Sequence, residues 1–199
     1  MMQRRHLIAG PMLAWMSDLA AAETLVRVET PLGAFVIAVD PARAPVTVAN
    51  FLAYVDAGQL DGGSVYRIVN LANQTPQTKH RIEVVQWGMN LPDNQPPPRP
   101  AIAHETTRQT GLKHLDMTVS MARNAPGTAA AEFFICIGDQ PSLDFGGGRN
   151  PDGQGFAAFG QVVSGQDAVR AIHARGGAEQ FLKQPIAIGK VARTLQRNP

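Results

Sequence analysis

The chain has 199 residues, 44% of them hydrophobic and 17% charged, with a net charge of +2. That length supports one domain with a substantial core, and the apolar fraction excludes a disordered chain. The weak charge, spread without a run, argues against nucleic-acid binding, and a single cysteine excludes an intrachain disulfide.

The N-terminus predicts export. Arg4 and Arg5 precede an apolar run at 7–15, and Ala20, Ala21 and Ala22 stand before Glu23. A basic start, an apolar stretch and a small-residue cleavage site make a signal peptide of 1–22, leaving 23–199 as a periplasmic or otherwise exported domain. The paired arginines suit the twin-arginine route. Pro11 within the run and Asp18 before the cleavage site fit poorly, so a cytoplasmic protein with an apolar N-terminal arm is the alternative. The run is too short to span a bilayer.

Residues 25–28 alternate apolar and polar as a half-buried strand, and after the Pro31-Leu32-Gly33 turn residues 34–39 complete a hairpin. Pro45 opens a helix at a position where its missing N–H is harmless. Val48, Phe51, Leu52 and Val55 give that helix one apolar stripe, and Gly58 is placed to end it. Residues 64–69 and 83–87 read as strands around a polar loop at 70–80. Residues 92–100, with five prolines in nine positions, read as an irregular surface loop. Strands follow at 117–122, 132–137 and 158–163, then a short helix around 167–172 and a last strand at 186–195. Eight short strands punctuated by Gly and Pro, with two helices, predict a mainly β protein built as a closed or nearly closed barrel.

Reactive constellations are weak. Gly148 and Gly153 have phosphate-loop spacing, but Gln154 stands where the lysine belongs and no helix follows. Asn150 and Asp152 lack the first Asp and the terminal Glu of a calcium loop. None of the five histidines has zinc-site spacing, and no G-x-S-x-G elbow is present. His104 and Glu105 are adjacent, and strand neighbours face opposite ways. Cys136, in an apolar strand, reads as a small buried hydrophobe. Arg67, within Ser64-Val65-Tyr66-Arg67-Ile68-Val69, is either on a solvated face or aimed at a ligand.

Several segments then act together: Ala44-Pro45 through Phe51, Tyr66-Arg67, Val85-Gln86-Trp87-Gly88, Ser120-Met121-Ala122-Arg123, Phe133-Phe134-Ile135, Leu143-Asp144 and Ala158-Phe159-Gly160. In order and spacing the chain resembles the cyclophilin family of peptidyl-prolyl cis–trans isomerases over 25–195. The resemblance implies a closed eight-stranded antiparallel cyclophilin-like barrel with two flanking helices, acting on proline-containing polypeptides as a monomer, without metal or cofactor. It implies that Arg67 is catalytic and that Gln86 hydrogen-bonds the substrate backbone. It also implies that Ala122 and Arg123 pair with the residue before proline. Phe134 becomes the floor of the proline pocket and Leu143 a wall. Phe156 and Glu132 stand where other members have a histidine and a glutamine at the substrate.

The chain departs from the family at Glu83 and Val84, where a Phe-Met pair is usual, at Ser142, where many members have tryptophan, and in extra residues between Arg67 and Gln86. If the 70–84 stretch borders the groove, Glu83 should favour basic residues near the proline. Two other functions stay open on sequence: a non-catalytic proline-peptide binder or chaperone on the same barrel, and an interaction protein using the Pro-rich loop.

Overall fold

The computed structural model describes residues 24–92 and 95–195, so the leader predicted at 1–22 lies outside the described residues. Nine strands form one antiparallel sheet: β1 (Thr24–Val28), β2 (Phe35–Val39), β3 (Ser64–Val69), β4 (Val84–Gly88), β5 (Thr118–Met121), β6 (Glu132–Cys136), β7 (Ala157–Ser164), β8 (Phe181–Ala187) and β9 (Val191–Thr194). Their order across the sheet is β8-β3-β4-β6-β5-β7-β2-β1-β9.

Two expectations need correction. The sheet has nine strands, not eight, and it is not closed into a barrel. Both differences arise in the C-terminal segment, expected to be one strand. It is two: β8 pairs with β3 and β9 pairs with β1. Between them Ile188 N–H donates to Gly63 O at 2.8 Å and Gly189 N–H to Glu29 O at 2.7 Å. This linker ties the two edges of the sheet together, while no ladder joins β8 to β9. β8 escaped the sequence pattern because most of its residues are exposed, so neither face carries an apolar row.

Three α-helices among the described residues accompany the sheet: α1 (Pro45–Asp56), the single turn α2 (Thr107–Thr110) and α3 (Gln166–His173). The expected pair is therefore joined by α2, which ends at Gly111 in the left-handed region, φ 72°. α1 buries Val48, Phe51, Tyr54 and Val55, the spacing of one helical face, and the chain turns away at Gly58, φ 63°. Its first residues offer no side-chain cap of their own. Glu105 supplies one from afar, accepting from Val46 N at 3.1 Å and from Thr47 N and Oγ1 at 2.8 and 2.7 Å. A carboxylate there satisfies orphan N–H groups and meets the positive end of the helix dipole.

Phe51 anchors α1 in an aromatic cluster with Trp87, Phe133 and Phe159, at ring separations of 5.0–6.4 Å. This is the main core, and it also takes in the buried faces of β1, β2 and α3. On the other face of β3, β4 and β6 a second, smaller cluster forms from Val69, Ile82, Val84, Phe134, Cys136 and Leu143. Cys136 is fully buried there, as its apolar strand suggested. A sheet apolar on both faces at this point creates a site outside the main core.

Candidate active site

Strand alternation decides which side chains reach the site. On β4, Val85 and Trp87 enter the main core, leaving Val84 and Gln86 on the outer face. On β6, Phe133 and Ile135 point in, and Glu132, Phe134 and Cys136 point out. β3 breaks the rule. Its pairing with both β4 and β8 shifts between Val65 and Arg67. Val65 and Ile68 both enter the core, and the two residues between them, Tyr66 and Arg67, both line the outer groove. A bulge re-aims a side chain in this way. Without it Arg67 would face the core.

Cross-strand register then lines up one row: Arg67 on β3 opposes Gln86 on β4, which opposes Phe134 on β6, which opposes Ser120 on β5. Above this row lies a groove of about 710 Å³. All eight residues singled out in the sequence line it: Arg67, Gln86, Ala122, Arg123, Glu132, Phe134, Leu143 and Phe156.

Arg67 is held on both sides by neutral acceptors. Nη1 donates to Gln86 Oε1 at 2.9 Å, and Nε and Nη2 donate to Gln180 Oε1 at 3.2 and 2.6 Å. Gln180 is itself fixed, its Nε2 donating to Asn73 O at 3.1 Å. The guanidinium lies 5.7 Å from the Phe181 ring, which stacks on Tyr66 at 6.4 Å. Burial, with Arg149 nearby, lowers the Arg67 pKa, yet an arginine stays charged. Gln86 Nε2 donates to Tyr66 Oη at 2.5 Å and, more weakly, to Glu132 Oε2 at 3.3 Å. Burial and the neighbouring Glu132 push the Tyr66 phenol far above its usual range, so it stays neutral.

The apolar end of the groove is built by Phe134, Phe156 and Leu143. Phe134 and Phe156 meet edge to face at 5.3 Å. Leu143 is fully buried, so it backs this pocket from behind. The Arg123 side chain is 1% exposed. It holds Asp152 through two bonds of 2.8 and 2.9 Å and packs over Phe156 at 5.2 Å. That grip draws the Asp152 carboxyl down to about 2. Arg123 therefore offers the groove its backbone. Ala122 N–H is already engaged by Glu132 O at 2.9 Å.

Glu83 does not border the groove. Ile82 and Val84 do, and Glu83 lies between them, its carboxylate 3.9 Å from His173 Nε2 on α3. The expected preference for basic peptides set by Glu83 loses its basis.

Sequence reading also missed three contributors. Gln180 and Phe181 sit in an exposed segment with no pattern. The third is His114, fully buried behind Phe134, its ring stacked on the phenylalanine at 5.9 Å. His114 Nδ1 bonds Asp144 Oδ1 at 2.8 Å and Nε2 bonds Ser120 Oγ at 2.9 Å. The order Asp144–His114–Ser120 has the connectivity of a hydrolase triad, but Ser120 has no exposed surface for a substrate to reach. Burial lowers the His114 pKa against the opposing pull of Asp144, so the ring is neutral and apolar enough to pack under Phe134. The cluster props the pocket floor.

A fixed cation, an amide and an aromatic pocket in one groove suit a protein that grips a proline-containing peptide and acts without breaking a bond. Residues 25–193 match the family described as cyclophilin type peptidyl-prolyl cis-trans isomerase/CLD, and the chain belongs to that family. Peptidyl-prolyl cis-trans isomerase cyp18 of Streptomyces antibioticus is 38% identical over 149 residues, covering 74% of this chain and 81% of that one. Peptidyl-prolyl cis-trans isomerase B of Escherichia coli strain K12 is 33% identical over 150 residues, covering 74% and 83%. Among solved structures, a cyclophilin type isomerase of Cryptosporidium parvum superposes with a TM-score of 0.68 at 17% identity, over 89% of this chain and 99% of that one, a likeness of fold. The chain is accordingly a peptidyl-prolyl cis–trans isomerase, which sets the non-catalytic binder aside. No helix among the described residues is long and apolar enough to cross a membrane.

Proposed function

We propose that Arg67 is the catalytic residue of this isomerase and that the groove beside it holds the substrate proline on Phe134. The observation that carries this is the row Arg67–Gln86–Phe134, which sets a fixed guanidinium and an amide directly beside the aromatic floor.

An X–Pro bond turns slowly because amide resonance imposes a barrier of ~18–20 kcal/mol. A catalyst needs only to bind the twisted amide better than either planar form. At the twist the prolyl nitrogen regains its lone pair, and a cationic donor stabilises it. Arg67 suits that task because its charge is permanent and its fork is already aimed. Gln86 holds the substrate backbone on one side of the rotating bond. The Arg123 backbone pairs with the residue before proline in the manner of an added strand. Phe134 and Phe156 enclose the ring, with Leu143 behind them, so the ring stays while the acyl side turns. Glu132 lies along the same face and meets the chain near Gln86.

We further propose that residues 23–199 work as a monomeric folding factor outside the cytoplasm, on proline-containing polypeptides, after removal of 1–22. Support comes from the sequence pattern of the leader. Mass spectrometry of the protein from its native host should find the chain beginning near Glu23. An intact Met1 or Met2 on the abundant soluble form would refute export. The role of Arg67 is tested by the isomerisation rate of Arg67→Ala.

A further inference from the structure

Besides Arg67 and Arg123 the groove contains a third arginine, which the isomerase reading leaves without a task. Arg149 comes from the Gly-rich stretch at 146–155, which was set aside above as a phosphate loop. It lines the groove near Arg67, close enough for the two charges to oppose one another. Its Nη1 donates to His80 O at 2.8 Å, and its backbone N–H donates to Ser142 O at 3.0 Å. Gly148 permits the approach: a Cβ there would stand 2.8 Å from His80 Nε2. Two loops thus dock on each other, and their junction presents a half-buried guanidinium.

The carboxylates in the neighbourhood are all engaged elsewhere. Asp152 is held by Arg123 and Asp144 by His114. Glu83 faces His173, and Glu132 meets Gln86 and acts on Arg67. No carboxylate among the described residues pairs with Arg149. Lys79 and Arg81, on either side of His80 in sequence, are exposed. A guanidinium partly stripped of water and left without an anion is costly to keep, so it is poised to gain from an anionic ligand.

Position fixes where on the substrate that anion must be. Arg123, which receives the residue before proline, lies at the end of β5. Arg149 is tied to His80 O, ahead of β4, and its charge acts on Arg67. The sheet order places three strand spacings between β3 and β5, about 14 Å. A peptide entering over Arg123 and seating its proline on Phe134 leaves toward Arg149.

We propose that Arg149 is a specificity-determining residue of the isomerase, selecting substrates with a negatively charged group, carboxylate or phosphate, one or two residues after the proline. The inference rests on the placement of the proline argued above. An anion before the proline gains nothing from Arg149 and meets Glu132.

The test uses purified 23–199 and the peptides Ala-Ala-Pro-Xaa-Ala, with Xaa as Glu, phosphoserine, Ala or Lys, and Glu-Ala-Pro-Ala-Ala as a positional control. Isomer exchange is followed by NMR. At low ionic strength the Glu and phosphoserine peptides should show kcat/KM about three- to tenfold above the Ala peptide, with Lys below it. The advantage should shrink with added salt and be absent from the positional control. Arg149→Gln should bring the ratio to about one, Arg149→Lys should restore part of it, and Arg149→Glu should reverse it in favour of Lys. Reversal is a result that mere loosening of the loop cannot produce. A phosphoserine rate well above the Glu rate assigns the anion as phosphate, and equal or higher Glu rates assign it as carboxylate. Equal rates for all four Xaa peptides, or a preference that survives Arg149→Gln and Arg149→Glu, would overturn this role while leaving the isomerase site intact. Failure to accelerate even the Ala peptide would overturn the site itself and this role with it.

Discussion

Arg67 and Gln86 stand directly opposite each other on β3 and β4, joined by Arg67 Nη1 donating to Gln86 Oε1 at 2.9 Å. A bulge one residue earlier makes this possible by turning Arg67 out of the core. The guanidinium is then held from its other side by Gln180, across 113 positions of sequence. The guanidinium on β3 is therefore positioned from two sides, by β4 and by the segment that leads into β8.

Gln180 is a positioning residue in this arrangement, and its loss should leave the fold intact. Gln180→Ala should lower kcat about 10- to 100-fold, the scale set by small misplacements of a catalytic group, with KM changing much less. Gln180→Glu would pair the guanidinium with a charge and should depress the rate as well. Rates equal to wild type in both variants would show that Gln86 alone orients Arg67.

The buried His114 links pocket architecture to pH. Burial lowers its pKa from 6.5, so the folded chain keeps the ring neutral at pH values where the unfolded chain protonates it. His104 is shifted in the same direction, also chiefly by burial. The unfolded state binds more protons in that window, so stability is full above about pH 6.5 and declines as the pH falls below it. Each group can contribute a slope of up to about 1.4 kcal/mol per pH unit. Urea unfolding between about pH 8 and pH 5 measures this. His114→Asn should be less stable throughout, with a shallower decline, and a wild-type stability flat over that range would contradict the assignment.

Much of this site could be read in the sequence, for reasons tied to particular residues. Gln86, Phe134 and Glu132 lie on strands whose alternation is regular, so their outward direction follows from their neighbours. Arg67 could not be placed by pattern, because a bulge is a mismatch with partner strands and leaves no local trace in Ser64–Val69. The conditional reading of Glu83 fails because the residue lies just before β4 and its carboxylate faces His173 on α3. Phe181 is 65% exposed in a strand with no apolar face, so it resembled a loop residue. Gln180, just before it, is invisible for the same reason. The His114–Asp144 pair joins residues 30 apart whose only common feature is the space behind Phe134. The last strand splits at Gly189, whose N–H donates to Glu29 O at 2.7 Å and where a Cβ would fall 3.3 Å from Glu29 Cβ.

Gly155 sets the height of the pocket wall. Its φ is 64°, and a Cβ would collide with Leu143 O and fall 2.5 Å from the Asp144 carbonyl carbon. Leu143 O is the acceptor of the Phe156 N–H at 2.9 Å. Gly155→Ala should therefore displace Phe156, lower stability by about 1–3 kcal/mol and raise KM for proline peptides. Thermal unfolding and steady-state kinetics check both effects, and unchanged values would mean that the loop relaxes freely.

Glu105 should matter for the fold and not for the reaction. It caps α1 from outside the helix, away from the groove. Glu105→Ala should cost about 1–2 kcal/mol, as lost caps do, with kcat/KM unchanged. A change in rate at intact stability would instead connect α1 to catalysis.

Arg67→Ala in purified 23–199 tests the proposed catalytic role most directly, with the rate of prolyl isomerisation of a neutral Ala-Pro peptide and the circular dichroism spectrum measured on the same sample. Removing a charged group that stabilises the transition state should lower kcat/KM about 100- to 1000-fold while the spectrum stays that of the folded protein. A folded variant that isomerises the peptide at a rate close to wild type would contradict the assignment of Arg67 as the catalytic residue.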